Sequence, residues 1–216
     1  MNLFITIKRL LALAALSLTL VVPAFSQEGG LYAAPPPPDA AFVRVLNGTS
    51  KAVSTEVGGI AFAVQPQTIS PYSIVTRGDY TANGDVTLSA KVEAQHFYTI
   101  LVDADGKAAL LTDEPLANPA RAGLYFYNAT GEPLELAATV GGKQAKVFEA
   151  VAPGAQAFRE VNAFDVTFDV LKDGAVAFTL PGITMTRQQG VSVVALNNGD
   201  KLIAIQAVNG VAPTSN

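Results

Sequence analysis

Phe42-Val43-Arg44-Val45-Leu46-Asn47-Gly48-Thr49, followed by Thr55-Glu56-Val57-Gly58-Gly59, recurs as Leu124-Tyr125-Phe126-Tyr127-Asn128-Ala129-Thr130, followed by Ala138-Thr139-Val140-Gly141-Gly142. A second echo pairs Phe97 to Val102, the polar stretch Asp103 to Lys107 and Ala108 to Leu111 with Val191 to Leu196, Asn197 to Lys201 and Leu202 to Ile205. Two ordered echoes of this kind mean two tandem copies of one domain. The repeated unit is β-rich. Short apolar stretches are cut by Asn47-Gly48, Gly58-Gly59, Asn83-Gly84 and Asp105-Gly106, pairs that supply the positive φ of tight hairpins. In the first copy this predicts strands at 42–46, 52–57, 72–76, 79–82, 86–92, 97–102 and 108–112.

The second copy carries the cleanest alternation. Phe164, Val166, Phe168 and Val170 fall on one face of a strand, with Asp165, Thr167 and Asp169 on the other. Period two predicts a core face and a water face. Lys172-Asp173-Gly174 turns the chain back through Val176, Phe178 and Leu180. Val191 to Leu196 and Leu202 to Val208 are nearly continuous apolar runs, the pattern of central strands covered on both faces. No apolar series with helical spacing extends over ten residues outside the N-terminal leader, so helix content is expected to be low. The fold class expected is all-β: two tandem antiparallel β-sandwich domains related by an internal repeat.

The first residues address the chain. Lys8 and Arg9 precede an apolar run from Leu10 to Val22, Pro23 breaks it, and Ala24-Phe25-Ser26 offers small residues before Gln27. That is the grammar of a secretory signal peptide over 1–26, with a core too short for a comfortable bilayer span. Cleavage removes two of the 14 basic residues and no acid, leaving 12 against 18 acidic ones and a net charge of −6. The chain has no Cys, so an exported protein of this sequence is held by its cores alone. An acidic chain without a basic cluster is a poor ligand for nucleic acid or anionic lipid, and no stable membrane insertion is expected after cleavage. Residues 27–40 contain four consecutive prolines, Pro35 to Pro38, which force an extended arm. The remaining organisation read from composition is a first sandwich over 41–112, a polar, two-proline linker over 113–121 and a second sandwich over 122–212.

Reactive constellations are scarce. His96 is the one histidine, and it enters a strand directly after Glu93-Ala94-Gln95. Gly78-Asp79 is followed by Tyr80 where an acyl-transfer block of the Gly-Asp-Ser kind needs Ser, and Glu93-x-x-His96 has Glu where its partner block needs Asp. Asp103-x-Asp105-Gly106 opens like a calcium loop but lacks the later carboxylates, so a hairpin turn accounts for it. Asn47-Gly48-Thr49 and Asn128-Ala129-Thr130 match the N-glycosylation pattern. Their equivalent position in both repeats, directly after a strand, favours a turn. No catalytic residue, metal ligand or cofactor site is assigned.

Tyr125 and Tyr127 share one face of a strand, which reads either as the edge of the core, ranked first, or as a partner-binding patch. Leu31 and Tyr32 form an apolar pair on the proline arm. These four residues are the partner-binding candidates.

Gly30-Leu31-Tyr32, a proline-bearing spacer, Phe42-Val43-Arg44-Val45 with Asn47, Gly78-Asp79-Tyr80, His96 to Leu101 and Asp113-Glu114-Pro115 stand in the order and spacing of the AlgF alginate biosynthesis family. The chain resembles that family over essentially its whole mature length. The resemblance implies a periplasmic protein of two β-sandwiches, needed for O-acetylation of the exopolysaccharide alginate. It also implies work as an adaptor beside the membrane O-acyltransferase and the periplasmic acetyltransferases, with no catalytic motif to carry over. The four-proline run is longer than the family's usual spacer, and the chain is acidic where some relatives are nearly neutral or basic. Two other functions compete. A carbohydrate-binding module presenting alginate would need Arg44, Arg77, Lys91 and Arg121 to gather against the net charge. An acetyl carrier or weak esterase would work through Ser, Thr or His96.

Overall fold

In the first repeat the central strand β1 (Ala40–Asn47) lies parallel to β8 (Phe97–Val102). The short β4 (Thr68–Ile69) and β5 (Ser73–Thr76) flank β1 antiparallel, and β9 (Ala108–Asp113) closes the far side of β8. Facing this sheet is an antiparallel one in the order β3 (Ile60–Val64), β2 (Val53–Val57), β6 (Gly78–Gly84), β7 (Leu88–Val92). The coordinates are a computed structural model that describes residues 35–213. The leader, Leu31 and Tyr32 lie outside the described residues.

The second repeat copies this topology. β10 (Ala122–Asn128) runs parallel to β16 (Gly190–Asn198), flanked by β13 (Gln156–Val161) and β17 (Lys201–Val208). Its facing sheet has the order β12 (Lys143–Val151), β11 (Leu134–Val140), β14 (Phe164–Lys172), β15 (Ala175–Met185). The protein is all-β, two tandem sandwiches, antiparallel except for one parallel pair in each. The exception has a simple origin. Between β1 and β8 the chain leaves for the facing sheet and returns, and such a long crossover is what two parallel neighbours require.

The residues from Pro36 onward cohere as one unit because the two sheets containing β1 and β10 pack on each other. Four layers result. Strand alternation sends Ala41, Val43 and Val45 into the first core, while Leu46 and Arg44 look across at the second sandwich. In β10, Leu124 and Phe126 enter the second core, whereas Tyr125 and Tyr127 face the first sandwich. Both strands are thereby buried along their whole length, which explains why the repeated motif is apolar on both faces apart from Arg44 and the closing Asn.

Several local expectations change. Gly58-Gly59 and Gly141-Gly142 make the same positive-φ turn, at 58° and 79° and at 56° and 77°. Gly48, however, makes no such turn; a Cβ there would meet the Val102 carbonyl at 2.6 Å and Ala129 at 3.3 Å. It is small chiefly because its N–H donates to the Val102 carbonyl of β8 at 2.7 Å, with Ala129 of the second sandwich close behind. Strand β16 is central as expected, but β17 pairs with β16 alone and leaves Val208 60% exposed. On β14, Val166, Phe168 and Val170 are core and Asp165 is exposed. Asp169 shares the outer face of β14 with Asp165 but is covered there by its neighbours, accepting hydrogen bonds from Thr179 Oγ1 at 2.6 Å, Gln144 Nε2 at 2.7 Å and Thr139 Oγ1 at 3.4 Å. Strand β3 is absent from the strands read from the sequence.

Candidate functional site

The densest group of buried polar side chains among the described residues sits between the two sandwiches, around Arg44. This guanidinium is 1% exposed. Its Nε donates to Thr99 Oγ1 at 2.9 Å, Nη1 to Asn209 Oδ1 at 2.8 Å, and Nη2 to Tyr127 Oη at 2.7 Å and Ser192 Oγ at 3.1 Å. Thr99 belongs to β8 of the first sandwich, Tyr127 and Ser192 to the second, so one side chain ties three strands across the seam. The Tyr72 ring covers the guanidinium at 4.2 Å, a cation–π contact in a dry setting.

Asp113, at the end of β9, supplies the compensating charge, 3.9 Å from Arg44 Nη2. Its Oδ2 accepts from Thr99 Oγ1 at 2.5 Å and Tyr72 Oη at 2.8 Å, and its Oδ1 accepts from Tyr127 Oη at 2.5 Å. Each charge is therefore paired and hydrogen-bonded, the condition under which burial of ions is tolerated. Burial works against the charge on Arg44, but Tyr127, Tyr72 and Asp113 outweigh it and raise its pKa above the ordinary value. Burial, opposed by Arg44, raises the Tyr72 and Tyr127 phenols, and it pushes Tyr125 up to about 12. An apolar rim of Leu46, Leu101, Val194 and Leu196 excludes water around the cluster. Chemically the arrangement is a joint, its strong donors and acceptors spent on one another.

These contacts correct the sequence reading. Tyr125 and Tyr127 are 5% and 0% exposed, covered by the first sandwich, and so present no open face to a separate partner. Tyr125 donates to the Glu114 carbonyl at 2.6 Å and packs on Phe158. Arg44 is removed from any polymer-binding patch. Asp113, read as the first residue of a polar linker, is the buried counter-ion. Arg121 is bonded to Asn162, while Arg77 and Lys91 line one shallow hollow together with Asp79 and Glu93, whose charges offset theirs. The one signal available for the joint was Arg44 itself, a lone charge inside an otherwise apolar strand.

His96 is exposed, its Nδ1 2.9 Å from the Ala94 carbonyl. Asp103 Oδ1 accepts from the Asp105 and Lys107 amides, closing a hairpin. Among the described residues no group of three or more His, Cys, Asp or Glu is placed to hold a metal. Asn47 and Asn128 are both fully buried, donating to the carbonyls of Lys51 and Val64 and of Glu132 and Val151. Their Oδ1 atoms accept from Thr49 and Thr130, so the Asn-x-Thr pattern is an internal brace in each half. At the seam, Tyr72, Phe97, Leu116, Tyr125 and Val211 line a hollow of about 270 Å³.

A family model described as Alginate O-acetyl transferase AlgF matches residues 13–193. The chain belongs to the AlgF family. The AlgF alginate biosynthesis protein of Pseudomonas syringae pv. tomato is 30% identical over 194 residues, 88% of this chain and 86% of that one. The AlgF protein of Pseudomonas aeruginosa is 29% identical over 196 residues, 88% and 90% of the two chains. That of Azotobacter vinelandii is 30% identical over 178 residues, 81% of each. A solved structure of the N-terminal domain of P. aeruginosa AlgF is 28% identical, spanning 37% of this chain and 100% of that domain with a TM-score of 0.34. Its C-terminal domain is 21% identical, spanning 42% and 99%, with a TM-score of 0.37.

Proposed function

We propose that this AlgF-family chain is a non-catalytic periplasmic adaptor in the O-acetylation of alginate, bringing acetyltransferases and the membrane O-acyltransferase together. Family membership supports the pathway. The observation that carries the adaptor reading is the buried joint. The most chemically capable side chains, Arg44, Asp113, Tyr127 and Tyr72, are spent on fixing two sandwiches as one rigid body. A scaffold needs that rigidity, because two binding surfaces held at a set spacing raise effective concentration. His96 supports the same reading: it is exposed, and a backbone carbonyl is the one polar partner it has among the described residues.

The test is a pull-down from periplasmic extract with the tagged exported chain, read by mass spectrometry. Recovery of alginate acetyltransferases is the expected result, and their absence at micromolar concentrations rejects the adaptor. The family's transferase description calls for a second assay, incubation with an acetyl donor; an unchanged protein mass is expected. Presentation of alginate by the chain itself ranks lower because Arg44 is buried and the Arg77–Lys91 pair is neutralised. Salt-sensitive retention of the chain on the polymer would restore it.

A further inference from the structure

Most of the outer edges of the sheets carry a guard against strand pairing: Lys91 on β7, Lys143 and Lys146 on β12, Arg159 on β13, Pro181 on β15. Strand β17 lies against β15, and on β9 the Thr112 carbonyl already accepts from Gln156 Nε2. Of the two outer strands that pair with β1 alone, β4 has only two residues and β5, which also carries no charge or proline, has four and starts beside the Tyr72–Val211 bridge; β3 is the longer open edge. It pairs only with β2, and its sequence Ile60-Ala61-Phe62-Ala63-Val64 holds no charge, proline or bulge.

The register shows which backbone groups are open. The two-residue Gly58-Gly59 turn makes Val57 and Ile60 a hydrogen-bonded pair, so Ile60, Phe62 and Val64 bond to β2. The N–H and C=O groups of Ala61 and Ala63 therefore point away from the sheet. Both alanines are exposed, while Phe62 and Val64 are anchored in the first core.

We infer that β3 is a homodimerisation edge, at which a second copy of this chain adds its own β3 antiparallel about a two-fold axis at Phe62. The strand is self-complementary, as a two-fold contact demands. With Phe62 opposite its own copy, Ala61 meets Ala63 and Ile60 meets Val64, matching small with small and large with large. The two Ala61–Ala63 pairs are then the hydrogen-bonded ones, and all four open groups on each copy find partners. Glu56, beside Ala61 on β2, has two strands between it and its copy, so no like charges are brought opposite each other. The product is a continuous eight-stranded sheet joining two adaptors.

A contact of one short strand lies well below the ~1,200 Å² of stable complexes, so the dimer is a weak one that exchanges with the single chain. Sedimentation equilibrium of the exported chain over rising protein concentration is expected to show the mass climbing from one chain toward two. Ala61→Pro, which removes an outward N–H and leaves the β2 ladder intact, is expected to hold the mass at one chain. Ala63→Lys checks the same edge if the proline variant misfolds. Because the chain lacks Cys, register is readable directly. A mixture of A61C and A63C chains should cross-link as the heterodisulfide in preference to either homodimer, their Cα atoms lying ~5.5 Å apart. A monomer at every concentration overturns the inference, as does a dimer untouched by both edge variants. A β3 that pairs only with a strand of another protein overturns it too.

Discussion

Arg44 and Asp113 are two charges enclosed at 1% and 2% exposure, and their worth depends on keeping both. Arg44→Ala strands the Asp113 carboxylate without its cation and is expected to cost about 3–5 kcal/mol, read as a lower urea midpoint with the slope retained. The double change Arg44→Met with Asp113→Leu is expected to cost less than the sum of the single changes, since neither charge is then left alone. The same cluster controls alkaline stability. Tyr72, Tyr125 and Tyr127 have folded pKa values above the ordinary 10.0, with Tyr125 at about 12. Their protonated phenols thus stabilise the fold fully below pH ~10, and for Tyr125 this contribution is lost as the pH climbs to about 12. Phenolate absorbance should rise in two stages, the second coinciding with loss of β-sheet circular dichroism. A single stage near pH 10 with the fold retained would contradict the buried joint.

At the scale of the element, each half is pinned by an Asn that closes the exit from its central strand. Asn47→Ala leaves the carbonyls of Lys51 and Val64 without that donor and is expected to cost about 1–3 kcal/mol. Asn128→Ala should behave alike, because its bonds to Glu132 and Val151 are equivalent. Matched losses of denaturation midpoint check this, and a neutral Asn128→Ala would break the structural equivalence of the repeats. Gly84 is a sharper constraint. It sits at φ +135° where a Cβ would collide with the Ser54 carbonyl, so Gly84→Ala forces β6 away from β2 and should cost well over about 1 kcal/mol.

Across the whole molecule, three apolar cores alternate with four sheets, and the middle core belongs to both sandwiches. The chain's last described residues add a second tie. Tyr72 N–H donates to the Gly210 carbonyl at 2.9 Å and Ala212 N–H to the Tyr72 carbonyl at 2.7 Å, so the end of the second repeat lies on the first. A chain ending at Val208 loses this strap and the Asn209 acceptor of Arg44. It is expected to melt at a lower temperature and to be cut faster by protease within 113–121. Unfolding of the intact chain should be one cooperative transition, since neither sandwich can leave without exposing the shared layer.

Repetition, turn glycines and period-two alternation sufficed to read two β-sandwiches from the sequence, because these signals are local: each depends on residues a few positions apart. The paired Gly-Gly turns and the alternation Val166, Phe168, Val170 are cases in point. The partners of Arg44 were beyond such reading. Alternation says that Arg44 lies opposite Val43 and Val45, but both faces of β1 are buried, and which sheet covers the second face is decided by packing between the repeats. For the same reason Tyr125 and Tyr127 were legible as one face but not as an internal one, and Asp113 passed for linker. Long-range pairing of this kind, 83 positions between Arg44 and Tyr127, leaves no local pattern in the chain. Local patterns along the chain suffice for the class of fold and its duplication; that the two copies share a core and lock around one buried ion pair follows from their packing, because burial of a charge is a property of everything that surrounds it.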